Sequence, residues 1–213
     1  MDKHTLNKSK ILELSKDLFY KKGYTKVTMD EIAQGLGMSK KTLYKYYDGK
    51  YDLLTQILDN FENDMSNGIN EILEDQNSSF INKLKRMLRH AGLTFSELST
   101  TLMIDFQKNL PDIWNRVNEY KKDAAFLRFR KLIEDGQKSG EISSTVNKNL
   151  VVAIYASAID NLTNPAFIDT MPQNVKDGMP VTLSEIYDQI INIIFDGILI
   201  DIAKEEFRND KVV

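Results

Sequence analysis

Apolar residues recur at helical spacing along nearly the whole chain. Ile11, Leu14, Ser15 and Leu18 share one side of a helix over positions 7–22, and Leu12 and Phe19 widen that stripe. Lys8, Lys10, Lys16, Lys21 and Lys22 fill the polar side, and Gly23 stops the run. Thr28 opens a second helix. Thr28-Met29-Asp30-Glu31 fits a capping box, in which the threonine hydroxyl and the Glu31 carboxylate each satisfy a backbone donor. Ile32, Ala33 and Leu36 form its buried face. Gly37 stands where a left-handed residue is needed, and Ser39 caps a third helix over Lys40–Lys45. Ala33, Gly37 and Leu43 act as a set. The small residue lets two helices approach, the glycine turns the chain sharply, and the leucine pins the second helix on the first. That is a helix-turn-helix arrangement.

The pattern after Asp48-Gly49 predicts a long helix over 50–74, carrying Leu53, Leu54, Ile57, Leu58, Phe61, Met65, Ile69, Ile72 and Leu73 inward. Further helices are expected at 80–97, 99–109, 111–138 (with Pro111 in its first turn), 147–164 and 182–207. Pro172, Gly178 and Pro180 mark 169–181 as a loop. The fold class is all-α, with about nine helices: a three-helix helix-turn-helix head at 1–49 and a helical regulatory and dimerisation body at 50–213. Residues 150–162 and 186–202 are apolar on nearly all sides. Such helices bury more than one face. They serve both the subunit core and a dimer interface, or else form one deeply buried core pair, with Ala153, Ala156, Ile190, Ile191, Ile194 and Ile198 as the candidate dimer residues. A symmetric dimer is also what paired helix-turn-helix units need to read two half-sites.

Charge sharpens this division. The net charge is −3. Residues 1–50 hold eleven Lys and no Arg against six acids, giving +5; the remaining seventeen Lys or Arg against twenty-five acids give −8. A basic head on an acidic body suits a protein whose head alone meets polyphosphate, although lysines also simply solvate helix surfaces. The chain has no cysteine, which excludes disulfides and thiolate metal sites. The opening lacks the apolar core of a secretory signal, and no apolar stretch reaches the ~20 residues that span a bilayer. A cytoplasmic protein without membrane contact is expected. His4 and His90 are far apart, and no nucleophile motif, phosphate loop or metal cluster is present, so neither enzyme nor cofactor is expected.

The third helix presents Lys40, Lys41, Thr42, Tyr44 and Lys45 outward while Leu43 faces in. Lysine ammoniums neutralise phosphates, and threonine and tyrosine hydroxyls bond phosphate oxygens. The succession Leu18-Phe19…Gly23-Tyr24, Thr28-Met29-Asp30-Glu31-Ile32-Ala33, Gly37-Met38-Ser39-Lys40-Lys41-Thr42-Leu43-Tyr44-Lys45-Tyr46-Tyr47 and Lys50-Tyr51-Asp52-Leu53-Leu54 resembles the DNA-binding head of the TetR family of bacterial transcriptional regulators. It covers about a quarter of the chain. The rest is similar to the family in layout, and Ile133–Ile142 resembles a phrase that precedes its penultimate helix.

The resemblance implies DNA-facing roles for Thr28, Ser39, Lys40, Lys41, Thr42, Tyr44, Lys45, Tyr46 and Lys50, and a core role for Tyr47. Lys45 stands where the family often has an aromatic and Tyr46 where it often has histidine, so base preference does not transfer. It further implies a homodimeric repressor on a palindromic double-stranded operator, released by a small apolar or amphipathic effector. Phe95, Met103, Phe106, Trp114, Phe126, Phe129, Tyr155 and Ile159 are candidates to line an effector pocket, or else ordinary core. Asp160, with Asn161 and Asn164, would orient a polar group or cap the helix end. The alternative function is a helical DNA-binding or chromosome-organising factor that uses the same head with no inducer.

Overall fold

Short polar residues placed one step ahead of apolar runs fix where most of the helices begin. In a computed structural model, which describes residues 2–96, 99–199, 201, 202 and 205, Asp2 caps α1 (Lys3–Lys22) by accepting from Thr5 N at 2.7 Å. The helix therefore starts ahead of the predicted residue 7. Thr28 caps α2 (Met29–Gly35) and Ser39 caps α3 (Lys40–Leu43), each accepting from the backbone N–H three residues on. Then come α4 (Lys50–Glu74), α5 (Phe80–Ser96), α6 (Thr100–Asn109) and α7 (Pro111–Asp123). A π-helical turn, Ala124–Phe129, leads without a break into α8 (Arg130–Ser139), and Gly140 closes that helix at φ 87°. The single helix predicted over 111–138 is thus continuous but changes register inside.

The last elements are α9 (Lys148–Leu162), α10 (Pro165–Asp169), α11 (Gln173–Lys176) and α12 (Leu183–Ile198). Two expectations are corrected here. The segment 169–181 holds a short helix at Gln173–Lys176, opened by Pro172 in extended conformation. And α12 is interrupted after Ile198, because Leu199 turns extended and makes an isolated antiparallel bridge with Ile142, while residues 201, 202 and 205 are again helical. Among the described residues no β-strand is formed, and no helix is long and apolar enough to cross a membrane. The fold is all-α.

The chain divides into two compact units. The first takes Met1–Asp64 with Glu97–Trp114, the second Met65–Ser96 with Asn115–Val213. In the first, Ile11, Phe19, Val27, Ile32, Leu43, Leu53, Leu54, Leu102 and Phe106 are fully buried. Burying a side chain of this size contributes about 1.5–3 kcal/mol each. In the second, α12 packs on α5 and α9, and α9 packs on the π turn and α8. Gly136 permits the close approach of α8 and α5. A Cβ there would stand 2.7 Å from the Phe80 ring and 2.8 Å from Ile142 Cδ1.

The core of the second unit also takes in a cation. Lys121 is only 6% exposed, and its ammonium donates to Thr163 Oγ1 at 3.0 Å. Burial depresses its pKa to about 8, against the opposing pull of Asp160. An unfolded chain releases this proton near ~10.4, so between those values the unfolded state holds more protons and stability rises with pH. Urea denaturation of the wild type should therefore show stability climbing by about 1–2 kcal/mol from pH 7.5 to 9.5, below the range in which tyrosines ionise. Lys121→Met should flatten that rise; parallel curves for the two proteins would contradict the assignment.

Candidate DNA-binding interface

Both helix starts of the α2–α3 pair are held by their caps, and Gly37 at φ 62° makes the turn between them. Nothing lies within 4 Å of a Cβ built on Gly37, so the backbone conformation rather than space requires glycine there. Ala33, 4% exposed, lies under the turn, and its carbonyl accepts from Met38 N at 3.0 Å. Leu43 is fully buried and pins α3. The capping box is only half formed. Thr28 Oγ1 accepts from Glu31 N at 3.1 Å, but the Glu31 carboxylate accepts from Lys22 Nζ at 2.5 Å instead of turning back to the cap. A complete box forms at Thr182–Glu185.

This frame leaves one polar face open. Ser39, Lys40, Lys41, Tyr44 and Lys45 are exposed, and Thr42 is half-buried with its hydroxyl 2.8 Å from that of Ser39. Lys40 pairs with Asp30 of α2 at 2.9 Å, and the hydrogen bond to that carboxylate raises its pKa. Lys41 and Lys45 have no partner among the described residues. Tyr44 keeps 45% of its surface exposed. Thr28 is exposed at the start of α2, with its oxygen engaged as the cap.

Two more residues of the expected DNA-facing set have partners within the head. Lys50 donates to the carbonyls of Val27 (2.8 Å), Tyr24 (2.9 Å) and Thr25 (3.4 Å), and sits 4.1 Å from the centre of the Tyr24 ring. Burial lowers its pKa, against the pull of Asp105. Its ammonium donors are engaged by the α1–α2 connection. Tyr46 is half-buried: its hydroxyl accepts from Asn7 Nδ2 at 3.0 Å and its ring lies 4.9 Å from that of His4. Tyr47, left to the core, is 3% exposed and donates to Lys8 O at 3.2 Å.

Sequence reasoning missed Asp105. From α6 its carboxylate accepts from Thr25 N and Thr25 Oγ1, both at 2.6 Å, and from Asn109 Nδ2 at 2.6 Å. Burial alone would raise the Asp105 pKa, but these hydrogen bonds outweigh it and hold the carboxyl below its ordinary value. Ser99 adds a bond to Tyr20 O, and Tyr51 one to Asp112. The connection Tyr24–Val27 is thus gripped from α4 and from α6. The available signal was a carboxylate set between Ile104 and Phe106 on an apolar run.

The expected pocket residues do not come together in either unit. Met103 and Phe106 are buried in the first unit (3% and 0% exposed), where α6 packs on α1; Trp114 is half-buried in the same unit. In the second, Phe129 stacks on Tyr155 at 3.9 Å and meets Phe195 edge-on, and Tyr155 and Tyr187 share a hydroxyl–hydroxyl bond of 2.5 Å. Phe129, Tyr155 and Ile159 are core, whereas Phe126 is 48% exposed and Asp160 half-buried. The side chains of Phe95 and Ile198 lie outside what is described. Of the expected dimer residues, Ile190 and Ile191 face the subunit's own core (6% and 1% exposed), Ala156 and Ile194 are half-buried and Ala153 is exposed.

A glycine-turned helix pair with a cationic, hydroxyl-bearing open face defines a helix-turn-helix DNA-binding protein. Residues 11–57 match the family of bacterial regulatory proteins, tetR family. The chain is 26% identical over 184 residues to YvaF, an HTH-type transcriptional regulator of Bacillus subtilis, covering 86% of this chain and 91% of that one. It is 26% identical over 145 residues to the nucleoid occlusion factor SlmA of Photobacterium profundum, covering 62% and 72%. Its fold is similar to that of SmeT, the repressor of a Stenotrophomonas maltophilia multidrug efflux pump, in complex with triclosan: TM-score 0.66 at 14% identity, over 92% and 93% of the two chains. Residues 11–57 thus carry the DNA-binding head of the tetR family of bacterial regulatory proteins, and over most of its length the chain is similar to an HTH-type transcriptional regulator.

These placements separate residues on the open polar face from those that hold the head. Lys41→Ala and Lys45→Ala should each leave the melting temperature unchanged and reduce the slope of log affinity against log salt by about 0.9. Lys50→Ala should instead destabilise the head by about 1–3 kcal/mol by leaving the Thr25 and Val27 carbonyls without that donor. Electrophoretic titration at several salt concentrations, with calorimetry on the same proteins, checks both; a reversed pattern would contradict the placement.

Proposed function

We propose that this regulator is a homodimeric repressor that binds a palindromic operator in the cytoplasm and is released by a small-molecule effector. Residues 1–49 read DNA, with Thr28, Ser39, Lys40, Lys41, Thr42, Tyr44 and Lys45 as the contact set. Residues 50–213 pair the subunits and take the effector.

The observation that carries the dimer is an uncovered apolar stripe. On α9, Leu150 (59% exposed), Ala153, Ile154 (52%) and Ser157 share one face, opposite the buried Val151, Val152, Tyr155 and Ile159. On α12, Ile193 is 73% exposed, with Gly197 one turn on. Exposed branched residues on two helices that pack together suit burial against a second copy. The stripe replaces Ile190 and Ile191 as the pairing surface and keeps Ala153. Effector release is supported by the likeness to SmeT, which is a repressor and was solved with triclosan.

A second reading, a DNA-organising factor with no inducer, is supported by the closed Phe129–Tyr155–Phe195 core and by the similarity to SlmA. The two readings part on release by small molecules. Selection of bound sequences from a random DNA pool should return an inverted repeat, and candidate metabolites should lower the yield. Ile154→Asp with Ile193→Asp should shift sedimentation from dimer to monomer at micromolar concentration and weaken operator binding at least tenfold. A wild type that sediments as a monomer, or selected sites without symmetry, would refute the dimer; full retention of DNA under every metabolite would favour the second reading.

A further inference from the structure

Three donor groups converge in the second unit. Arg128 Nη2 donates to Ser66 Oγ at 2.7 Å and Nη1 to Tyr120 OH at 3.4 Å, and the two hydroxyls lie 3.2 Å apart. The guanidinium also sits 5.7 Å from the centre of the Tyr120 ring. These are its contacts among the described residues, and none is a carboxylate. Several other cations of this unit meet carboxylates: Arg86 pairs with Asp75, Arg130 and Lys148 with Glu134, and Lys131 with Asp135. A guanidinium has five N–H donors, and Arg128 uses two on neutral oxygens. Being half-buried, it is drawn partly out of water with no anion to offset that cost, yet solvent still reaches it.

The backbone is bent to this arrangement. Tyr120 and Arg128 are eight positions apart, which on a regular α-helix places them about 80° from each other. The π turn Ala124–Phe129 fits one more residue into a turn, and the two come within about 20° of one line. The same shift leaves Phe126 and Leu127 exposed while Phe129 remains in the core. Helix geometry of this kind recurs at functional sites because it re-aims a side chain at the expense of a regular hydrogen-bond ladder.

We infer that Arg128, flanked by Ser66 and Tyr120, anchors the anionic head of the effector, a carboxylate or phosphate monoester carried on an apolar body. A planar fork with free donors takes either anion in a two-point contact, beside a hydroxyl pair that already shares one of its protons. This assignment rests on the reading of residues 50–213 as the effector-binding body.

The test titrates decanoate, decyl phosphate and decanol, which share one tail, into the full-length dimer below their micellar concentrations, by calorimetry. At least one anion should bind saturably and at least tenfold tighter than the alcohol. Arg128→Gln should erase that difference, Arg128→Lys should retain part of it, and Tyr120→Phe and Ser66→Ala should each weaken it a few-fold. Circular dichroism confirms that each variant is folded. If Arg128→Gln is not, the two hydroxyl variants decide. Equal binding of the three probes, no saturable binding of either anion, or an unchanged preference in the folded variants would overturn the assignment. An operator-release assay runs alongside. An anion that binds through Arg128 without releasing DNA keeps the site and refutes the repressor's release mechanism. Release by neutral compounds alone does the reverse.

Discussion

The connection Tyr24–Val27 is the point on which the head depends. It joins α1 to the helix pair that faces DNA, and its own carbonyls and amides have no helix to satisfy them. Lys50 covers three of the carbonyls, while Asp105 takes an amide and a hydroxyl. One cation and one anion, from helices far apart in the chain, thus fix a four-residue link from both sides. Unpaired backbone groups at such a place would cost about 1–3 kcal/mol each and loosen the angle at which α2 and α3 are presented. Lys41, Tyr44 and Lys45 are useful as a surface only because this link is held.

The same economy of polar groups runs through the second unit. Tyr155 and Tyr187 bury their hydroxyls by bonding to each other, and burial pushes Tyr187 up to about 12. Lys121 buries its ammonium against Thr163, whose own proton goes to Ile159 O at 2.7 Å. Arg128 likewise sets its charge against neutral oxygens, those of Ser66 and Tyr120. α4 begins with Lys50, which holds the head's link, and later carries Ser66, which touches Arg128. One helix therefore contributes to both the DNA-facing frame and the donor cluster.

Local chemistry was legible in the sequence and distant chemistry was not. Thr28, Gly37 and Ser39 act on backbone within a few residues, so their types and spacing sufficed to place α2, the turn and α3. The bounds of α4 followed from its apolar spacing and the break at Gly49. Glu31 had two possible partners, its own helix start and Lys22, and only the packing of α1 decides between them. Lys50 and Asp105 meet partners up to 80 positions away, which no periodicity encodes. The apolar spacing of Phe126, Leu127 and Phe129 suits an α-helix as well as a π turn. Likewise an apolar helix such as 150–162 reads the same whether both faces are covered by its own subunit or one waits for a partner. Phe129 and Tyr155 looked alike as core or as pocket lining, because a side chain's type does not say whether the space beside it is filled.

The most direct test of the account is the affinity of Asp105→Ala for a selected operator fragment, with far-ultraviolet circular dichroism as the control for folding. Asp105 lies on α6, outside the proposed contact set. If the gripped link sets the DNA-facing surface, affinity should fall at least tenfold while helix content is retained and Lys41, Tyr44 and Lys45 are untouched. Wild-type affinity in the folded variant would contradict it and leave the head to stand on its caps and its own core.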